Sequence, residues 1–139
     1  MKVLALGAGG VGTSAALIAC RRGFFESWIC ADYNVDRAKK LAQRTADPRF
    51  SGAQIDASQA SQVTEMCRAF GITHVVNLLD PQYVMPVFTG ALAAGANYLD
   101  TAMSLSAPHP TDPHHLTGVK LGDEQFALED AWRDKGLLA

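Results

Sequence analysis

Three cysteines, none of them in a C-x-x-C pair, leave this chain without the even, regularly spaced set from which a disulfide framework or a zinc cage is built. Cys20, Cys30 and Cys67 fall within helix or strand patterns and read as buried, reduced thiols. No apolar run is long enough to span a bilayer, and Met1-Lys2 opens directly onto a strand pattern rather than a signal peptide, so residence in the cytoplasm is expected. Lysine and arginine total 12 against 14 acids, a formal charge of -2 that offers nucleic acid no electrostatic footprint. Also missing is a lysine after the glycine-rich turn described below, where Thr13-Ser14 follow instead, and this excludes a P-loop.

What is present is enough apolar side chain, 48% against 19% charged, for one packed domain over residues 1–139. Its most informative stretch is Gly7-Ala8-Gly9-Gly10-Val11-Gly12, a G-x-G-x-x-G set between the apolar run Val3-Leu4-Ala5-Leu6 and a helix-patterned segment. An acid, Asp32, closes the next strand 20 residues after Gly12. Together these form a dinucleotide-binding fingerprint in its proper context. Gly7 permits a tight exit from the strand, Gly9 has no Cβ to hold a pyrophosphate away, and Gly12 lets the helix pack against the sheet. The N–H groups of Gly9, Gly10 and Val11 then face the ligand at the positive end of a helix.

Asp32 bears on which dinucleotide is taken. A carboxylate at the end of the second strand accepts hydrogen bonds from ribose hydroxyls, whereas a 2′-phosphate there meets like charge, so NAD is expected over NADP. Asn34 and Arg37 are close enough in sequence to reach a phosphate. As structural residues, Asn34 is the N-cap of the next helix and Arg37 belongs to its wet face, away from the stripe Ala38, Leu41, Ala42.

Strands are expected at Lys2–Leu6, Trp28–Ala31, Gly52–Ile55, His74–Leu79 and Asn97–Leu99, alternating with helices that include 12–22, 59–70, 82–94 and 121–135. A glycine follows each of those four helices (Gly23, Gly71, Gly95 and Gly136), where a left-handed C′ residue belongs. The apolar stripes are Val11, Ala15, Ile18, Ala19 in the first helix and Val63, Cys67, Phe70 in the third. Short apolar strands divided by helices imply a Rossmann-type, doubly wound α/β fold with a parallel sheet in the order 3-2-1-4-5, its ligand at the switch between strands 1 and 4.

Positions just past the strand ends line such a crevice: Asp56, Asn77, Leu78 through Asp80, and Asp100-Thr101. Asp56-Ala57-Ser58 either meets the adenine edge or caps the third helix. Asp80-Pro81 has the form of N-cap plus N1. Asn77 sits on an otherwise apolar strand and needs hydrogen-bond partners, which a cofactor amide or ribose could supply. The segment Ala107–His115 holds three prolines with His109, Asp112, His114 and His115, yet its spacing matches no metal motif and it reads as a polar loop, with a flap over the nicotinamide side as a further possibility.

The whole chain resembles the N-terminal cofactor domain of saccharopine dehydrogenase-like (saccharopine reductase-like) oxidoreductases, including lysine 6-dehydrogenase and carboxynorspermidine dehydrogenase relatives. The resemblance rests on MKVLALGAGGVG, ADYNVDRAKKLA and, most specifically, HVVNLLDPQYVMPVFTGALAAGANYLDTA, with FALEDAWRDKGLLA similar to the family's helix and following strand. It implies hydride transfer at C–N bonds of amino acids or polyamine precursors with a nicotinamide cofactor, in a homo-oligomeric parent. By position it implies Gly7, Gly9, Gly10, Val11 and Gly12 at the pyrophosphate, Asp32 at the adenosine ribose and Asp56 near adenine. It names no catalytic residue. The family's substrate and dimerisation domain has no counterpart here, so cofactor binding without turnover is the expectation for these residues, with self-association through uncovered apolar surface.

Two other classes bear comparison. A nucleotide-sensing regulatory domain of potassium transporters shares the glycine turn and the strand-end acid, but NLLDPQYVMPVFTGALAAGANYLD favours the dehydrogenase family. A short-chain dehydrogenase needs Tyr-x-x-x-Lys, and none of Tyr33, Tyr83 and Tyr98 has a lysine four residues on.

Overall fold

Alternation along β1 (Lys2–Leu6) sends Leu4 and Leu6 to one face of the sheet and Val3 and Ala5 to the other, and all four are buried because helices cover both faces. The computed structural model describes residues 1–139. It places β1 at the centre of a five-stranded parallel sheet ordered β3-β2-β1-β4-β5, with β2 at Ser27–Asp32, β3 at Phe50–Gln54, β4 at His74–Asn77 and β5 at Asn97–Asp100. The expected fold class and strand order are both observed. Register aligns the strand ends that matter, since Leu6 pairs with Ala31 on one side and Asn77 on the other, Asn77 with Asp100, and Asp32 with Gln54.

Helices α1 (Gly10–Ala19) and α2 (Val35–Thr45) bury Ala16, Ala19, Leu41 and Ala42 with Trp28 and Phe50 on one face. On the other, α3 (Ala60–Phe70) and α4 (Val84–Ala94) bury Val63, Cys67, Val87 and Phe88 with Val75 and Tyr98. Burial of Cys30 and Cys67 pushes their thiols up to about 11 and about 12, so neither is a reactive thiolate near neutrality.

Several boundaries differ from the sequence reading, each for a local reason. Helix α1 starts at Gly10 rather than 12 and ends at Ala19, and Gly23 is not its cap because Cys20 ends it in right-handed geometry. Its buried stripe is Gly12, Ala16, Ala19, while Val11 and Ile18 are exposed; close approach to the sheet selects small residues over large apolar ones. Phe70 is likewise exposed beside the buried Val63 and Cys67. Residues Pro81–Tyr83 form a 3₁₀ turn, so the fourth helix begins only at Val84. The helix expected over 121–135 is two short ones, α5 (Asp123–Phe126) and α6 (Glu129–Asp134), which place Trp132 against Phe88 at 4.8 Å between centroids. Leu137–Ala139 lies outside any strand, although the Tyr98 N–H of β5 donates to the Leu138 carbonyl at 2.8 Å. Gly71, Gly95 and Gly136 take the positive φ expected of them.

Candidate dinucleotide-binding site

The turn after β1 is built as the glycine pattern requires. Gly7 has φ +103°, and a Cβ on it would stand 2.9 Å from Leu79 Cδ2 and 3.0 Å from the Leu78 carbonyl oxygen. A Cβ on Gly12 would overlap the Gly7 carbonyl oxygen, so the α1 backbone seats directly on the turn. On Gly9 it would meet nothing nearer than the Arg37 guanidinium at 3.6 Å, and on Gly10 nothing at all. Gly9 is the N-cap of α1 without a side-chain hydrogen bond, and no protein acceptor takes the N–H groups of Gly10 and Val11. Open space and free donors at a helix N-terminus fit the pyrophosphate of a dinucleotide.

Asp32 closes the site from β2. Its Oδ2 accepts from the Ala8 N–H at 2.8 Å and its Oδ1 from the Asn34 N–H at 2.9 Å. Both oxygens keep further lone pairs for ribose hydroxyls. Asn34 is the N-cap expected of it, its Oδ1 accepting from the N–H groups of Asp36 (3.0 Å) and Arg37 (3.2 Å). That amide oxygen therefore serves α2. Arg37 is exposed as expected, yet its guanidinium folds back over the turn beside Gly9.

Next to Asp32 a cleft of about 410 Å³ opens among Gly7, Asp32, Tyr33, Arg37, the Ile55–Ser58 segment, Leu79, Asp80 and Tyr83. Its size suits an adenosine moiety. Asp56 lines it, and neither Asp56 nor Ser58 caps α3. Asp56 Oδ1 accepts from the Ser58 N–H (3.0 Å) and hydroxyl (2.6 Å), while Gln59 is the N-cap. Asp80 precedes Pro81 at the start of the 3₁₀ turn, as its sequence form suggested, but its side chain caps nothing.

On the β4–β5 side Asn77 is 1% exposed, and it does not wait on a ligand for its partners. Its Nδ2 donates to the Tyr98 hydroxyl at 3.1 Å and its Oδ1 accepts from the Leu79 N–H at 3.2 Å. Leu78 packs partly buried under α1, its carbonyl facing Gly7. Burial first, and then the adjacent Asp100 carboxylate, push the Tyr98 hydroxyl far above its ordinary value, outweighing a lowering by the Asn77 amide, so it stays protonated.

The loop from Thr101 leaves the same end of the sheet and closes on itself through paired Ala107 and Val119. Within it Asp112 Oδ1 binds His115 Nδ1 at 2.9 Å, and His109 Nδ1 accepts from the Thr111 and Asp112 N–H groups. No three His, Cys, Asp or Glu side chains converge anywhere in the chain.

The structure thus gathers Gly7, Gly9, Gly10, Val11, Gly12 and Asp32 around one turn, sets Asp56 in the adjoining cleft, and turns the side chains of Asn34 and Asn77 to internal bonds. Leu79 and Asp80 line the cleft as their place past β4 suggested, whereas sequence reading missed Tyr33 and Tyr83 there, and Tyr98 and Gln125 around Asp100. Only tertiary contacts bring these together.

The family model for the saccharopine dehydrogenase NADP binding domain matches residues 3–139. A carboxyaminopropylagmatine dehydrogenase from Synechocystis sp. is 28% identical over 138 residues, which are 99% of this chain and 33% of that protein. The chain therefore spans about a third of the length of this curated relative. Among solved structures, the apo saccharopine dehydrogenase (L-Glu forming) of Saccharomyces cerevisiae superposes with a TM-score of 0.63 at 16% identity, covering 78% of this chain and 22% of that one. A short-chain type dehydrogenase/reductase from Mycobacterium marinum gives 0.66 at 15% identity, covering 98% and 70% respectively. At such identities the structures share the fold.

Proposed function

The chain belongs to the saccharopine dehydrogenase NADP-binding domain family, and from that premise we propose that it is the nicotinamide-dinucleotide-binding domain of an oxidoreductase acting on C–N bonds of amino acids or polyamine precursors. The observation that carries this reading is the Ala8–Asp32 hydrogen bond, which joins the glycine turn to the strand-end acid beside an adenosine-sized cleft. When bound, the nicotinamide would accept or supply hydride. The chain's own residues hold it: the N–H groups of Gly10 and Val11 meet the pyrophosphate, Asp32 accepts from the adenosine ribose, and Asp56, Tyr33, Leu79 and Tyr83 wall the adenine. The family match favours this reading over a regulatory domain that senses NAD without catalysis.

Preference for NAD over NADP belongs to the same proposal. Two N–H groups pin the Asp32 carboxylate, so it has little room to turn away from a 2′-phosphate. A second reading, NADP, is favoured by the Arg37 guanidinium over the turn and by the family's own description. Calorimetric titration with NADH and NADPH separates the two, and failure of both to bind would overturn the cofactor reading itself.

Homo-oligomerisation is supported by Leu99, Phe126 and Leu138, all more than 60% exposed near the β5 edge, and a monodisperse monomer in light scattering at high concentration would refute it. No helix is long and apolar enough to cross a membrane. Placement in the cytoplasm is supported by three unpaired cysteines, two of them buried.

A further inference from the structure

A chain of side-chain hydrogen bonds runs across the C-terminal ends of β4 and β5, on the far side of β1 from Asp32. Asn77 Nδ2 donates to the Tyr98 hydroxyl (3.1 Å), which donates to Asp100 Oδ2 (2.9 Å). That oxygen also accepts from Gln125 Nε2 (3.1 Å), whose Oε1 accepts from the Ser104 N–H (2.9 Å). At its inner end the chain ties Asn77 Oδ1 to the Leu79 N–H, and Leu78 and Leu79 fill the space where a Cβ on Gly7 would fall.

Tyr98 is the pivot. It is 6% exposed on β5 and its ring meets Phe88 edge-on at 5.1 Å, so packing fixes the hydroxyl between an amide and a carboxylate. Asn77 has no route to water, and without the hydroxyl its Nδ2 loses this acceptor. The amide then shifts to recover a partner, and the Leu79 N–H loses its fixed acceptor. Leu79 lines the adenosine cleft and touches the turn that seats the pyrophosphate, so the shift reaches the cofactor site although Tyr98 stands on another strand.

We propose that Tyr98 is a positioning residue whose hydroxyl, acting through Asn77, holds the Leu78–Leu79 wall of the dinucleotide crevice and couples it to the loop and helix that carry Ser104 and Gln125. The proposal rests on the cofactor reading above. Tyr98→Phe keeps the ring packing and removes the hydroxyl. The test is titration of the wild-type and variant chains with NADH and NADPH, together with amide exchange at Leu79 followed by NMR. The expected result is faster exchange at Leu79 and affinity about fivefold to tenfold weaker, the scale of one lost hydrogen bond. Should Tyr98→Phe not fold, Asn77→Leu keeps a similar volume, removes the amide through which the hydroxyl acts on the Leu79 N–H, and is expected to move both readouts in the same direction. A folded variant with a lower melting temperature but unchanged affinity and unchanged Leu79 exchange would overturn the positioning role. Wild type that binds neither dinucleotide would instead overturn the cofactor reading on which it rests.

Discussion

The Ala8 N–H donates to Asp32 Oδ2 at 2.8 Å, so the residue between the first two fingerprint glycines and the acid that closes the second strand form one unit. The carboxylate thereby shapes the turn as well as lining the cleft beside it. Asp32→Ala is expected to weaken dinucleotide binding by about 1.5–3 kcal/mol, the scale of hydrogen bonds to a charged group. Calorimetry on the folded variant checks this; undiminished affinity would place the ribose elsewhere.

Gly9 and Gly12 are expected to fail in different ways. At Gly9 the space outside the backbone is open, so Gly9→Val leaves a folded chain whose side chain occupies the pyrophosphate position and abolishes binding. At Gly12 a Cβ overlaps the Gly7 carbonyl oxygen, so Gly12→Ala forces α1 off the turn and costs about 1–3 kcal/mol of stability or more. Thermal melts and titrations on both variants separate the outcomes, and equal stability for the two would contradict the geometry.

Arg37 stands beside the glycine turn, where its charge is expected to discriminate between cofactors. Its guanidinium lies over Gly9 and carries the positive side chain that reaches the turn from α2. Arg37→Ala is expected to weaken NADPH by about 1.5–3 kcal/mol and NADH by less, because a 2′-phosphate gains more from that charge than a hydroxyl does. A larger loss for NADH would make Arg37 a pyrophosphate ligand instead.

Two groups shape stability in acid, in separate windows. Hydrogen bonds from Arg49, whose guanidinium also donates to the carbonyls of Cys20, Arg22 and Phe25, hold the Asp47 carboxyl below its ordinary range. Its contribution is complete above the ordinary carboxylate pKa and disappears as pH falls through the lowered native value. Burial first, and then the N-terminal ammonium, hold His74 below its ordinary value while it sits between Thr73 Oγ1 and Asn97 Nδ2. Its neutral form favours the fold, so stability also declines as pH drops from the ordinary histidine value through the native one. Melting temperature against pH is expected to show both declines in the wild type. Asp47→Asn should remove the lower decline and His74→Gln the upper; a profile that neither variant alters would refute the assignment.

Much of the site was legible because it is local. The glycine turn, Asp32 at its strand end and Asn34 at the start of α2 are each dictated by backbone needs a few residues apart. Along α1 the sequence reading puts Gly12 and Ala19 against the sheet, as observed, but omits Ala16 and adds the exposed Val11 and Ile18, because hydrophobic spacing marks an apolar face without telling how closely a sheet approaches it.

By itself the sequence determined the order of strands and helices, the glycine turn and the acid beside it, since period, glycine placement and capping act over one or two turns of chain. Only the tertiary structure decided that Arg37 folds over Gly9, that Asn77 is satisfied by Tyr98, and that Asp100 is shared by Tyr98 and Gln125. The Asn77–Tyr98 and Asp100–Gln125 bonds join side chains 21 and 25 residues apart in the chain, and which partner each polar atom finds is settled by how the strand ends, the returning loop and α5 are packed together.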